Sequence, residues 1–245
     1  FLGYVINYRL LPEWVAGIAA NALILAEGLF VLLLLYPATS SLGATGLAAC
    51  SGGSGSGPSA QARYQAVPNA QFDSWLDGFR GRAAANGVST GTIDRAFRSA
   101  GYLPEVIERD RNQTEFKRSL EDYLAIAASD DRVSTGKAKL RQHNATLSQI
   151  ESRYGVQKEV VTAIWGLESR YGERRGDIQV VSALSTLAYD GRRGSFFESQ
   201  LIAALKILQN GDVTADRMTG SWAGAMGHTQ FIPTSYQAFA VDFTG

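Results

Sequence analysis

From residue 72 onward the apolar positions of this chain return at helical spacing. Phe72, Trp75, Leu76 and Phe79 fall at i, i+3, i+4 and i+7, one face of a helix. Gly87 closes it, and Ser89 or Thr90 opens the next, which turns Ile93 and Phe97 inward. Tyr102-Leu103-Pro104 interrupts the pattern. Phe116, Leu120, Tyr123, Leu124 and Ala127 then form another amphipathic face. A long polar helix is predicted over 131–154, with Val133, Leu140, Leu147, Ile150 and Tyr154 on one side and Gly155 as its stop. The next helix carries Val161, Ile164, Trp165 and Glu168 and ends at Gly172. A helix around 180–188 is closed by Asp190-Gly191, and one lined by Phe196, Phe197, Leu201, Leu205 and Leu208 ends at Asn210-Gly211. Pro233-Thr234-Ser235 opens a last one. No run alternates with period two, so the expected fold is mainly α, α+β at most.

The first part of the chain is organised differently. Residues 1–36 are nearly all apolar, and the run from Asn21 to Tyr36, extended back through Val15, is just long enough to span a bilayer. Glu27 within it is costly in lipid. Asn7-Tyr8-Arg9-Leu10-Leu11-Pro12 with Glu27-Gly28 faintly resembles DoxX-type membrane proteins, which implies a fused or misread frame. Leu47-Ala48-Ala49-Cys50 resembles the lipobox of bacterial lipoprotein signals, and a Gly/Ser tether follows it. That resemblance makes Cys50 the lipidated first residue of the mature protein. The alternatives are a free thiol beside a linker and an uncleaved membrane helix. The expected division is an anchor or signal segment over 1–50, a Gly/Ser/Pro linker over 51–69, and a helical domain over 70–245.

Charge and composition remove several classes of function. Lys plus Arg and Asp plus Glu both number 23, so no net positive charge suggests nucleic-acid binding. One cysteine excludes an internal disulfide and a Cys-rich zinc site. The two histidines, His143 and His228, lie far apart in sequence, which argues against a His-based metal centre or a Ser-His-Asp triad. His143 reads as a surface residue.

Glu168 is the carboxylate that the periodicity singles out. Its spacing from Val161, Ile164 and Trp165 puts it on the buried stripe, in the last turn of its helix. Burial and the partial negative charge of a helix C-terminus both disfavour ionisation. A carboxyl kept protonated near neutral pH can act as a general acid. The plain alternative is a surface or cap-paired glutamate.

Two stretches go beyond periodicity. Glu168-Ser169-Arg170-Tyr171-Gly172 resembles the catalytic-glutamate motif of the membrane-bound lytic murein transglycosylase B family. Ala223-Gly224-Ala225-Met226-Gly227-His228-Thr229-Gln230-Phe231-Ile232-Pro233 resembles that family's sugar-binding loop, and Leu187 to Phe197 is similar to the segment between. The likeness runs from about Phe72 to Gly245.

The resemblance implies a lysozyme-like helical core that cleaves the bond between N-acetylmuramic acid and N-acetylglucosamine without water and without a cofactor. Glu168 is then acid first and base second, and the product carries a 1,6-anhydromuramyl end. It implies that Ser221, Gly224, Ala225, Met226, Gly227, Gln230 and Phe231 hold the sugar, with the glycine and alanine positions letting backbone amides approach it. Arg192 and Arg193 would face the peptide stem or lactyl group, with a solvated turn as the alternative, and Tyr189 would stand on the cleft wall. Gln113 and Glu115 are weaker candidates, and His228 is given no role. Asp242 and Thr244 resemble the first and third ligands of a calcium loop whose remaining ligands are absent, so no metal is expected here, although calcium suits a longer parent. The implied partners are peptidoglycan strands, the membrane through the N-terminal anchor, and other cell-wall enzymes. The implied location is the periplasm, as an outer-membrane lipoprotein of a Gram-negative bacterium. Two rivals stay open: a goose-type lysozyme-like hydrolase, which needs a second carboxylate, and a non-catalytic peptidoglycan-binding module.

Overall fold

The computed structural model describes residues 64–112 and 119–243. Its helices are α1 (Ala70–Ala85), α2 (Thr90–Phe97), α3 (Pro104–Arg111), α4 (Leu120–Ala127), α5 (Asp130–Gln142), α6 (Asn144–Tyr154), α7 (Lys158–Ser169), α8 (Val180–Asp190), α9 (Gly194–Asn210) and α10 (Pro233–Phe239). Two short strands, β1 (Ile178–Gln179) and β2 (Thr219–Gly220), pair antiparallel, with Ile178 opposite Gly220. The mainly α expectation holds.

Local chemistry sets most boundaries. The side chains of Asn69, Ser89 and Ser119 accept hydrogen bonds from Phe72, Thr92 and Asp122, satisfying first-turn amides of α1, α2 and α4. Pro104 and Pro233 open α3 and α10, where a missing N–H costs nothing. Gly155, Gly191 and Gly211 end α6, α8 and α9 in the left-handed conformation.

Two apolar cores result. The larger one surrounds α8, which is buried continuously from Val180 to Ala188 and packs against α9, α3 and α1. Phe79, Ile93, Leu103, Leu184, Leu201 and Leu205 belong to it. The smaller one gathers Val133, Ala163, Trp165 and Tyr171 where α5 packs on α7.

Two expectations change here. The helix predicted over 131–154 is two helices, because His143 leaves helical geometry (φ −109°, ψ 16°). Its ring packs edge-on against Trp165, with centroids 5.7 Å apart, and a straight continuation is traded for that contact. Phe196 does not line α9's inner face; it is exposed while Phe197 is buried, since neighbours on a helix point about 100° apart.

Cys50, expected to be lipidated, the apolar segment and the candidates Gln113, Glu115 and Thr244 lie outside the described residues. Among the described residues no helix is long and apolar enough to cross a membrane.

Candidate active site

Glu168 is the penultimate residue of α7 and is exposed. This corrects the buried-stripe expectation. Thr162 to Gly166 are all buried, because α5 and α6 both pack on α7. With so much of the circumference covered, periodicity does not pick out the open side, and that side emerges at Glu168, while Leu167 still packs on the smaller core.

The helix also stops earlier than Gly172. Arg170 and Tyr171 take positive φ, 49° and 57°, ahead of Gly172 at 92°. Side chains are costly in that region, so local packing must hold them. The Tyr171 ring is buried against Trp165, and its hydroxyl donates to the Arg132 carbonyl at 2.9 Å. Burial pushes that phenol well above its usual range. Arg170 pairs with Asp131 at 2.6 Å and with Glu173 at 3.2 Å.

The second motif folds into a tight loop after β2. Met226 bridges both Gly220 and Phe231. The Ser221 hydroxyl accepts from the amides of Ala223 and Ala225, and the Gly224 amide donates to the Ser221 carbonyl. The amides of Ala223, Gly224 and Ala225 thus hold the loop together. Gly224 has φ +83°, and a Cβ there would stand 2.5 Å from Leu184 of α8. Its smallness serves contact with the core. Gln230, at φ 49°, donates its side-chain amide to the carbonyls of Arg175 and Gly227, at 3.0 and 2.9 Å.

His228 joins the two motifs. Trp165 Nε1 donates to His228 Nδ1 at 3.1 Å, so the histidine's proton sits on Nε2. The Ser169 hydroxyl, one residue past Glu168, donates to the His228 carbonyl at 2.7 Å and accepts from the Gly172 amide. Any side chain on Gly172 would overlap the His228 ring. Burial, with the nearby Arg175 charge, pushes His228 down to about 4. Met226 meanwhile packs against the larger core. The loop thus spans the seam between the two cores, held at Leu184 on one side and Trp165 on the other. His143 is half-buried rather than a surface residue, and desolvation and Lys139 push it downward. Sequence reasoning assigned neither histidine a role. No local pattern shows that residues 85 positions apart meet one indole.

The paired arginines sit elsewhere. Arg192 donates to the carbonyl oxygen of Asp110 at 2.7 Å and to its carboxylate at 3.1 Å, and Arg193 binds the other carboxylate oxygen. Asp110 is 2% exposed, while both arginines are largely open. They are fixed from below and not a freely solvated turn. Tyr189 packs edge-on against Phe72 and Tyr102 in an aromatic group that also holds Trp75.

A cavity of about 740 Å³ opens behind the loop, lined by Arg175, Asp212, Arg217, His228, Phe231 and Tyr236 among others. Glu168 does not line it. Asp242 is exposed at its rim. Among the described residues no three His, Cys, Asp or Glu side chains are grouped to hold a metal ion.

The family described as Transglycosylase SLT domain matches residues 71–245. SltB3 from Pseudomonas aeruginosa, solved in complex with NAG-NAM-pentapeptide, is 50% identical with a TM-score of 0.70, covering 72% of this chain and 47% of that one. The Escherichia coli lytic transglycosylase Slt35, solved with bulgecin A, is 26% identical with a TM-score of 0.62, over 77% of this chain and 61% of that one. Membrane-bound lytic murein transglycosylase B of Escherichia coli is 35% identical over 116 residues, 47% of this chain and 32% of that protein. The chain thus spans about a third of that curated relative and about half of SltB3.

Proposed function

Because the chain belongs to the Transglycosylase SLT domain family, we propose that it is a lytic transglycosylase acting on peptidoglycan, with Glu168 as its single catalytic carboxyl. The observation that carries this reading is the exposed placement of Glu168 in the last turn of α7, one residue before the hydroxyl that ties the helix to the loop after β2.

In this mechanism Glu168 gives its proton to the oxygen linking N-acetylmuramic acid to N-acetylglucosamine. That bond breaks, and the substrate's N-acetyl oxygen stabilises the anomeric carbon. The ionised Glu168 then takes the proton of the muramyl C6 hydroxyl as that oxygen attacks. A 1,6-anhydro end results, no water is consumed, and Glu168 returns to its starting state. A seated glycan excludes water from the exposed Glu168 during the reaction. The Ser221 hydroxyl proton and the Gln230 side-chain oxygen are the polar groups offered to the sugar, with Phe231 as apolar surface. The exposed edges of Arg192 and Arg193 face an anionic lactyl or stem-peptide group. The reading calls on no cofactor. Anchoring to the envelope through a lipidated Cys50 belongs to the same proposal.

A hydrolase would need a second carboxylate to activate water. Glu173 and Asp190 are ion-paired with Arg170 and Arg111, and Asp177 is exposed. The test is digestion of purified sacculi by the parent protein and by Glu168→Gln, read by mass spectrometry. Anhydro-ended muropeptides from the parent alone are expected. Products heavier by one water would establish the hydrolase. Binding without release from either protein would make this a wall-binding module.

A further inference from the structure

We infer that His228 is a positioning residue for the reaction at Glu168, holding the sugar loop and the catalytic helix at one fixed separation. The inference rests on the lytic transglycosylase reading above and adds to it a residue that acts through Trp165 and Ser169.

Three contacts made by one residue carry it. The ring accepts from Trp165 Nε1, one helical turn before Glu168. The main chain accepts from Ser169, directly after Glu168. The ring also fills the space above Gly172, which therefore has no side chain. Glu168 thus lies between two anchor points on α7, and both are tied to the same loop residue. His228 stands between Gly227 and Gln230, two of the loop positions assigned to the sugar. A shift of about 1 Å between an acid and its bond can cost on the order of a hundredfold in rate, so a clamp at this point acts on chemistry more than on binding.

The ring's task is to accept one hydrogen bond while neutral. An asparagine can place its Oδ1 where Nδ1 stands, whereas a leucine of similar bulk cannot accept. The experiment compares the full chain with His228→Leu and His228→Asn on a soluble glycan tetramer, alongside the indole N–H signal of Trp165 in the proton NMR spectrum. His228→Leu should lower kcat about tenfold or more with KM changed less than about threefold. His228→Asn should recover most of that loss. In the unaltered protein the Trp165 indole proton should be slow to exchange. Equal kcat in all three proteins would overturn the inference, as would equal loss in both variants, which would mean bulk and not the hydrogen bond. A rapidly exchanging Trp165 indole proton in the unaltered protein would overturn it whether or not the variants fold. If the unaltered protein releases no product, the activity reading itself fails, and the indole measurement still decides whether the clamp exists.

Discussion

The ring of Tyr171 occupies the space that a side chain on Gly166 would need. A Cβ on that glycine would stand 2.6 Å from both the phenol carbon and its oxygen. Gly166 lies two residues before Glu168 and Tyr171 three after it, so the helix end and the turn beyond it are one packed unit. Gly166→Ala should therefore move Tyr171, break its bond to the Arg132 carbonyl, and cost about 1–3 kcal/mol. Thermal unfolding checks the stability. Turnover should fall more than stability implies, because the turn after Glu168 moves with the ring.

Removing the charge of Asp110 should be costly for the opposite reason. It is the buried partner of two arginines. Asp110→Asn leaves both cations without their counter-charge and should lose about 1–3 kcal/mol, the arginines' solvent access keeping it below the fully buried range. Arg80→Ala, which breaks an exposed pair with Asp94, should lose less than about 1 kcal/mol. Urea unfolding of the two variants makes the comparison.

Stability should fall with acid through His228. Its folded value of about 4 lies below the ordinary 6.5. Between these values the unfolded chain binds more protons, so stability rises with pH there. The contribution is complete above about pH 6.5 and is lost as pH falls through 4. Partial solvent access limits the expected loss to about 1–2 kcal/mol. His143, also pushed downward, adds in the same direction. Unfolding free energies measured from pH 4 to 7 should show a shallower slope in His228→Asn.

Gly224→Ala tests how the loop is seated. The substitution meets both a positive φ and Leu184 at 2.5 Å. It should cost about 1–3 kcal/mol and weaken binding to isolated glycan strands, measured by calorimetry. Unchanged stability would show that the loop does not rest on α8.

Local patterns were enough to mark most of the helices and their ends, though not α3, which starts at the very proline read as an interruption. Apolar spacing, proline starts and left-handed glycine stops act over a few residues, and those signals survive in any tertiary setting. The two stretches at Glu168 and at 221–233 were legible in the same way, as ordered strings. What faces what depended on long-range packing. Glu168 is open because α5 and α6, the two helices before α7, cover the rest of its circumference. The helix over 131–154 breaks because His143 gains a contact with Trp165. The loop amides turn inward, and Arg192 and Arg193 rest on Asp110, 82 and 83 residues away. Burial and pairing depend on the surface opposite a residue, and no local period carries that surface.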